Sequence, residues 1–217
     1  MSDTSSIEAA RAEFPGTEGL TYMNVSARGL TPQRSRDAVD AMMDNMQSGA
    51  TDKAAMFDLI ENAREGYAKL INAKTDEISL VKNVSEGLNA IIAAYHWKCG
   101  DNVVLCQDLE HPNNVYPWRH LNRRLGVEVR SVSPRDGAIP TDEILEQIDE
   151  NTRMVTASSV TFAPGFRTDI APIGAVCRER DILFLVDGVQ SVGILNTDVE
   201  ALNIDAMSVS TQKGLLG

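Results

Sequence analysis

From about residue 78 onward, short β-branched segments alternate with helical segments, and this alternation constrains the fold more than any other feature. Strands that alternate with helices pair in parallel, because each helix carries the chain back along the sheet before the next strand begins. We therefore predict an α/β fold with a mostly parallel sheet covered by helices on both faces. The predicted strands span residues 78–81, 103–106, 127–132, 154–157, 182–186 and 206–209.

Three segments show apolar residues at the three- and four-residue spacing of an amphipathic helix. We expect each helix to lie on a core, with residues 1–75 as an N-terminal helical segment and residues 76–217 as the large domain. The apolar positions are Val39, Met42, Met43 and Met46, then Phe57, Ile60, Ala63, Tyr67 and Leu70, then Leu88, Ile91, Ile92 and Tyr95.

Composition excludes several classes of partner. The chain has 20 Lys and Arg residues against 31 Asp and Glu residues, a net charge of -11. Phosphate backbones and anionic membranes repel such a surface, so we expect neither nucleic acid nor membrane as a partner. No basic leader precedes an apolar run at the N-terminus, which favours a cytoplasmic location. The 3 cysteines are widely spaced and form no CxxC pair, so neither a disulfide framework nor a metal site is expected.

Polar segments follow five of the predicted strands. In open α/β sheets, ligands bind at the carboxyl ends of the strands, where loops lead into helix N-termini. We therefore expect these five segments to converge on one edge of the sheet. They span residues 83–87, 107–114, 161–167, 187–191 and 210–213.

Two of these segments carry a specific pair of charges. Asp187 ends the apolar run Ile182-Leu183-Phe184-Leu185-Val186, and Lys213 follows the next predicted strand. A lysine amine can hold an aldehyde cofactor as a Schiff base, and a carboxylate can keep a pyridine nitrogen protonated. The pair predicts a site for pyridoxal 5'-phosphate (PLP). A helix-capping role for Asp187 and a solvated loop position for Lys213 are the alternatives.

Four separated motifs occur in the order found in one enzyme family. The sequence resembles the class V aminotransferase family, which includes cysteine desulfurases, isopenicillin N epimerase, kynureninase and glyoxylate aminotransferases. The resemblance runs from about Tyr22 to the last residue, and it implies a fold-type I PLP enzyme that forms a homodimer. The motifs are Asn83-Val84-Ser85-Glu86-Gly87-Leu88-Asn89, Glu110-His111-Pro112-Asn113-Asn114, Val186-Asp187-Gly188-Val189-Gln190-Ser191 and Ser210-Thr211-Gln212-Lys213.

The resemblance implies a role for each motif. Lys213 would be the Schiff-base lysine and general base, and Asp187 would pair with the pyridine nitrogen. His111 would stack on the ring and take part in proton transfer, and Gln190 would reach the phenolic oxygen. The phosphate would bind at the helix start formed by Val84, Ser85 and Glu86, together with Ser210 and Gln212. Ser85 fits equally well as the N-cap of that helix.

The sequence departs from the family pattern at two places. Phe162 stands where desulfurases have an asparagine that contacts the phenolic oxygen, and Thr161 is expected to substitute for it. Family members also continue past the lysine with a smaller domain that holds a substrate-binding arginine and, in desulfurases, a nucleophilic cysteine. We therefore expect an incomplete large domain that alone is poorly soluble or binds PLP weakly.

These features predict a PLP enzyme acting on an amino acid, with a class V aminotransferase that uses a keto acid as the first choice. A cysteine desulfurase, another C–S lyase or an epimerase is the first alternative, and an inactive PLP-binding fragment is the second. An α/β hydrolase is a further alternative, because Ser191 lies between Gly188 and Gly193. The glycine spacing differs from a nucleophile elbow, and all three histidines precede the serine.

Overall fold

The computed structural model describes residues 4–217. Helices lie on both sides of a single sheet, and short 3-10 turns join several of the elements. The helices are α1 (Thr4–Ala12), α2 (Gln33–Ser48), α3 (Lys53–Ile71), α4 (Val84–Ala94), α5 (Tyr116–Leu125), α6 (Thr141–Glu146) and α7 (Ala171–Glu179). The strands are β1 (Asn102–Leu105), β2 (Glu128–Ser131), β3 (Thr152–Ser158), β4 (Leu183–Asp187) and β5 (Ala206–Ser208).

All five strands are parallel and lie in the order β2-β1-β3-β4-β5. The chain leaves β1 toward one edge to form β2 and then crosses back to form β3 on the other side. The direction of winding thus reverses between β1 and β3, and such a switch point opens a crevice at the carboxyl ends of the strands. The predicted α/β fold with a parallel sheet is confirmed.

Two apolar clusters hold the helices to the sheet, one on each face. Because successive strand residues point to opposite faces, Val103 and Leu105 pack in one cluster while Val104 packs in the other. The first cluster also contains Leu88 of α4 and the fully buried Trp118 of α5. The second contains Ile144 of α6 and Ile173 of α7. Both faces of the sheet are therefore covered, as the pattern of strands predicts.

Five of the six predicted strands are present, with ends shifted by one or two residues. The sixth prediction, residues 78–81, is wrong, because this segment pairs with no strand in the described chain. Its Leu80 and Val81 are 59% and 44% exposed. An apolar β-branched run favours an extended backbone, and Ile78 is extended, but a strand also needs a neighbour for its backbone groups.

Helices α2, α3 and α4 form where the apolar spacing predicts them, but only α4 lies on the core. Leu88 and Ile92 of α4 are buried, whereas α2 has no buried residue and α3 buries only Ala68 and Ile71. The prediction that each helix packs on a core is therefore wrong for α2 and α3. Large apolar side chains of both helices remain exposed, including Met43 of α2 and Phe57 of α3.

No helix in the described part of the chain combines the length and the hydropathy needed to cross a membrane. The boundary between an N-terminal segment at residues 1–75 and a large domain at residues 76–217 stays a prediction.

Candidate functional site

A cleft of about 370 Å³ opens at the carboxyl ends of the strands. Its lining comes from five stretches of sequence, which are the start of α4 and the loops after β1, β3, β4 and β5. Eight of the nine predicted site residues line it, so residues far apart in sequence share one site. The eight are Val84, Ser85, His111, Asp187, Gln190, Ser210, Gln212 and Lys213.

Lys213 lies in the loop after β5, and tight backbone contacts hold this loop in place. The amide of Gly29 donates to the carbonyl of Gln212 at 2.7 Å. A Cβ at position 29 would overlap the carbonyl oxygen of Lys213, so only glycine allows this approach. Burial lowers the pKa of Lys213 and the charge of Asp187 raises it, with burial the larger effect. The amine is therefore closer to its nucleophilic, unprotonated form than a lysine in water.

Asp187 ends β4 with its side chain in the cleft and 4% of the residue exposed. The amide of Val189 donates to its Oδ1 at 3.0 Å, and none of the described residues donates to Oδ2. Burial raises the pKa of Asp187, while the Val189 hydrogen bond and the charges of His111 and Lys213 oppose the increase. A cationic or N–H donor in the cleft would relieve the cost of burying this carboxylate.

The start of α4 points its first amides toward the cleft. The N-cap is Asn83, whose Oδ1 accepts from the amide of Glu86 at 2.9 Å, so the N-cap role considered for Ser85 is wrong. The backbone of Asn83 is extended (φ -165°), and the helix begins only at Val84. The amides of Val84 and Ser85 lack intrahelical acceptors, and the helix dipole favours an anion beside them.

Glu86 is the one predicted site residue that does not line the cleft. Its amide is bonded to Asn83, and its carboxylate accepts from the amide of Lys82 at 2.7 Å. Both groups therefore serve the local structure of the helix start. Asn83 and Lys82 themselves line the cleft, although the sequence analysis assigned neither of them a role there.

Ser210 carries a buried hydroxyl oxygen that has no hydrogen-bond partner among the described residues. A buried hydroxyl without a partner is costly, and a phosphate oxygen would satisfy it. Gln212, two residues later in the same loop, also lines the cleft. Gln190 also lines the cleft, and its Nε2 donates to the carbonyl of Ser26 at 3.2 Å.

His111 stands at the edge of the cleft against an aromatic neighbour. Its ring meets that of Phe162 edge to face, with centroids 5.0 Å apart. Its Nδ1 lies 2.9 Å from Oδ1 of Asn113 and 3.4 Å from the backbone amide of the same residue. The pair with Phe162 limits the rotation of the imidazole.

Thr161 does not take over the task of the missing asparagine, so that expectation is wrong. Its Oγ1 accepts from the amides of Gly165 and Phe166 at 3.2 and 3.0 Å. The residue is 1% exposed and does not line the cleft. The hydroxyl therefore forms hydrogen bonds within its own loop and not with groups in the cleft. Phe162, 54% exposed, and Val160 are the residues of this loop that line the cleft.

The hydrolase alternative fails on the environment of Ser191. This serine is 1% exposed, and its hydroxyl is bonded to Ser159 Oγ at 2.6 Å and to the Gly188 carbonyl at 3.2 Å. A nucleophilic serine needs a histidine as its hydrogen-bond partner. Within residues 4–217 there is also no group of three His, Cys, Asp or Glu side chains that could hold a metal ion.

The residues of the cleft fit PLP. A lysine with a lowered pKa, a buried carboxylate, two free helix amides and an unpartnered hydroxyl match its aldehyde, ring nitrogen and phosphate. The sequence analysis missed other lining residues, including Ser158 and Asn113. Asn113 lies in a quoted motif, and Ser158 directly follows the predicted strand at 154–157, the position from which the carboxyl-end rule could have found it.

Comparisons with known proteins agree with this site. The family model "Aminotransferase class-V" matches residues 22–217. A probable cysteine desulfurase from Methanothermobacter thermautotrophicus is 37% identical over 159 residues, which cover 73% of this chain and 39% of that protein. An uncharacterized aminotransferase from Schizosaccharomyces pombe is 32% identical, with 96% of this chain and 54% of that protein covered. The chain spans about half the length of the curated relatives it matches.

Solved structures share the fold. A C-DES variant with glycine covalently linked to its PLP cofactor superposes with a TM-score of 0.86 at 28% identity, covering 95% of this chain and 56% of that one. The apo cysteine desulfurase from Thermococcus onnurineus NA1 gives a TM-score of 0.82 at 27% identity, covering 97% and 54%. Both match the large domain of fold-type I PLP enzymes. The family model covers most of the chain, and the chain therefore belongs to the class V aminotransferase family.

Proposed function

We propose that this protein is a PLP-dependent enzyme of the C–S cleaving branch of its family, acting on cysteine or a related amino acid. The observation that carries the proposal is the cleft, where Lys213, Asp187 and an unpartnered Ser210 hydroxyl face one space. The relatives named as cysteine desulfurases favour C–S cleavage over the transamination that the sequence analysis placed first. Transamination with a keto acid is therefore the second candidate.

Lys213 has two tasks in this proposal. Its Nζ would hold the cofactor aldehyde covalently, and the same Nζ, when free, would remove or return a proton at the substrate α-carbon. Bound PLP supplies an electron sink conjugated to the substrate α-carbon. The lowered pKa of Lys213 supports both tasks, because only the unprotonated amine attacks a carbonyl or accepts a proton.

The other lining residues orient the cofactor. Asp187, whose Oδ1 is already bonded to the amide of Val189, would accept a hydrogen bond from the protonated ring nitrogen and keep the ring electron-poor. The amides of Val84 and Ser85, with Ser210 and Gln212, would bind the phosphate. His111 would cover the face of the ring, and Gln190, which is bonded to the carbonyl of Ser26, would exchange that bond for one to the phenolic oxygen. Glu86 has no direct role.

The described thiols bear on the choice of reaction. Cys106 and Cys177 are buried, Cys99 is exposed, and none of the three lines the cleft. Burial raises the pKa of Cys106 to about 11 and that of Cys177 to about 12, so both are unreactive at neutral pH. None of the cysteines within residues 4–217 is therefore placed to accept sulfur from a substrate in this cleft. We further place the protein in the cytoplasm as a homodimer.

The test supplies PLP and compares substrates. The chain is incubated with cysteine, with cystine, and with alanine plus a keto acid, and sulfide or persulfide is quantified separately from new keto acid. We expect sulfur release from cysteine or cystine that disappears in Lys213→Ala. New keto acid from alanine without sulfur release would instead establish transamination. Covalent PLP at Lys213 without any turnover would establish a cofactor-binding fragment.

A further inference from the structure

Glu110 is a buried carboxyl group beside the cleft to which the proposed function gives no role. It is 6% exposed and immediately precedes His111. Its Oε1 accepts from the amide of Ser158 at 2.6 Å, and its Oε2 accepts from the Ser158 hydroxyl at 2.6 Å and from Nδ2 of Asn114 at 2.8 Å. Three donors converge on one side chain, an arrangement suited to a carboxylate.

The network around Glu110 is anchored in the core, so the carboxyl group has little freedom to move. Asn114 also donates to Oγ1 of Thr156 at 3.0 Å, and Nε1 of Trp118 donates to Oδ1 of Asn114 at 3.3 Å. Asn114 and Trp118 are both fully buried. The network thus joins the loop after β1, the start of α5 and the end of β3.

Ser158 connects Glu110 to the cofactor site. It is the register partner of Asp187 on β4, and both residues line the cleft. Neighbouring strands lie about 4.8 Å apart, and register partners in a parallel sheet point to the same face. Glu110 is therefore bonded to the residue beside Asp187 and adjoins His111 in sequence.

The two carboxyl groups influence each other. Burial raises the pKa of Glu110 to about 7, the Ser158 and Asn114 hydrogen bonds oppose the increase, and the charge of Asp187 adds to it. The other ionisable groups facing this region are His111, Lys213 on the far side of Asp187, and Cys106 and Asp108 on the loop before Glu110. Glu110 changes charge near neutral pH, where an enzyme of this kind works.

We propose that Glu110 is a positioning residue that fixes the end of β3 against the loop carrying His111 and adds a second negative charge beside Asp187. The inference rests on the proposed function, because the charge acts on the protonated groups of a bound cofactor. A negative charge close to a cation raises the pH at which that cation loses its proton. Glu110 therefore raises the pKa of protonated groups in the cleft without contacting the cofactor.

The test uses Glu110→Gln, which keeps the size of the side chain and removes its charge. The visible absorbance of the Lys213-linked cofactor is recorded at saturating PLP between about pH 6 and 10, and Lys213→Ala treated alike provides the blank. We expect the midpoint of the absorbance change to fall by about 0.5 to 1 pH unit, a roughly three- to tenfold change in the proton-binding constant. A purely structural role would change PLP affinity and leave the midpoint in place.

Asp108→Asn is the matched control, because it removes an exposed carboxylate two residues away in the same loop. Its midpoint is expected within about 0.2 units of the wild type, and a Glu110→Gln midpoint equally close would overturn the inference. A second measurement needs no cofactor. The infrared band of a protonated carboxyl group, absent in Glu110→Gln, should vanish near neutral pH in the wild type.

The role of Glu110 and the proposed function can be contradicted by different results. A carboxyl band that persists above about pH 9 would show that Glu110 carries no charge over the working range, which would overturn its role and leave PLP binding intact. A wild-type chain that forms no covalent link at Lys213 would contradict the proposed function, whatever the infrared band shows.

Discussion

Individual residues at the cleft have acid–base properties that their positions in sequence do not reveal. Asp187 and Lys213 lie in motifs that predict a cofactor site, and both line the cleft. Glu110 stands in a motif as well, but its burial follows from the fold, because Ser158 lies 48 residues later in the chain. Sequence patterns thus identify groups that react, whereas the groups that tune them depend on packing.

Burial of Glu110 predicts a pH-dependent stability. The pKa is about 7 in the folded chain against 4.5 for the unfolded reference, so the folded state binds the extra proton between these values. The contribution of Glu110 to the free energy of unfolding is fully present below about pH 4.5. It is lost as the pH rises through about 7, a decrease of roughly 3 kcal/mol in total. Urea unfolding of Glu110→Gln should show a flatter pH profile over this range. An unchanged slope would mean that Glu110 ionises at its ordinary pKa.

At the scale of elements, the parallel strands and helices follow from the sequence pattern, and the exceptions have physical causes. Residues 78–81 have strand composition, but pairing depends on a neighbouring strand that the described chain does not place there. Both Asn83 and Ser85 are good N-cap residues, and the point where the backbone becomes helical decides between them. Local conformational preferences can therefore be predicted from the sequence, whereas strand pairing and the exact ends of helices depend on tertiary contacts.

The start of α4 can be tested by removing its cap. In Asn83→Ala the amide of Glu86 loses its acceptor, and the helix should lose about 1 kcal/mol of stability. Because the same helix start binds the phosphate in our proposal, PLP affinity should fall while pyridoxal affinity stays nearly unchanged. Isothermal titration with both ligands measures this difference.

Asp52→Ala is the matched control for this experiment. Asp52 caps α3, where its Oδ1 accepts from the amides of Ala54 and Ala55, and it does not line the cleft. The Asp52→Ala variant should lose a similar amount of stability with no change in PLP affinity. Equal losses of PLP affinity in both variants would show that α4 has no specific phosphate role.

At the scale of the whole molecule, the exposed apolar faces of α2 and α3 predict self-association. Met43 and Met46 of α2 are 55% and 56% exposed, and Phe57 of α3 is 67% exposed. Contiguous apolar surface of this kind marks interaction sites in folded proteins. The chain should therefore sediment as a species larger than its 23.6 kDa monomer.

Charge placed on the apolar face should reverse this association. The double variant Met43→Glu, Met46→Glu is expected to shift the protein toward the monomer without reducing PLP binding. Gln47→Glu adds charge beside the apolar face of the same helix and should sediment like the wild type. Association that persists in the double variant would exclude this face of α2 as its cause.

Covalent trapping shows whether Lys213 holds PLP. The chain is incubated with PLP, reduced with borohydride, digested and mapped by mass spectrometry, with Lys82 of the same cleft as the internal comparison. The account predicts a phosphopyridoxyl group on Lys213 and a large loss of trapped cofactor in Lys213→Ala. A Lys213 without the adduct, or equal labelling of Lys82 and Lys213, would contradict it.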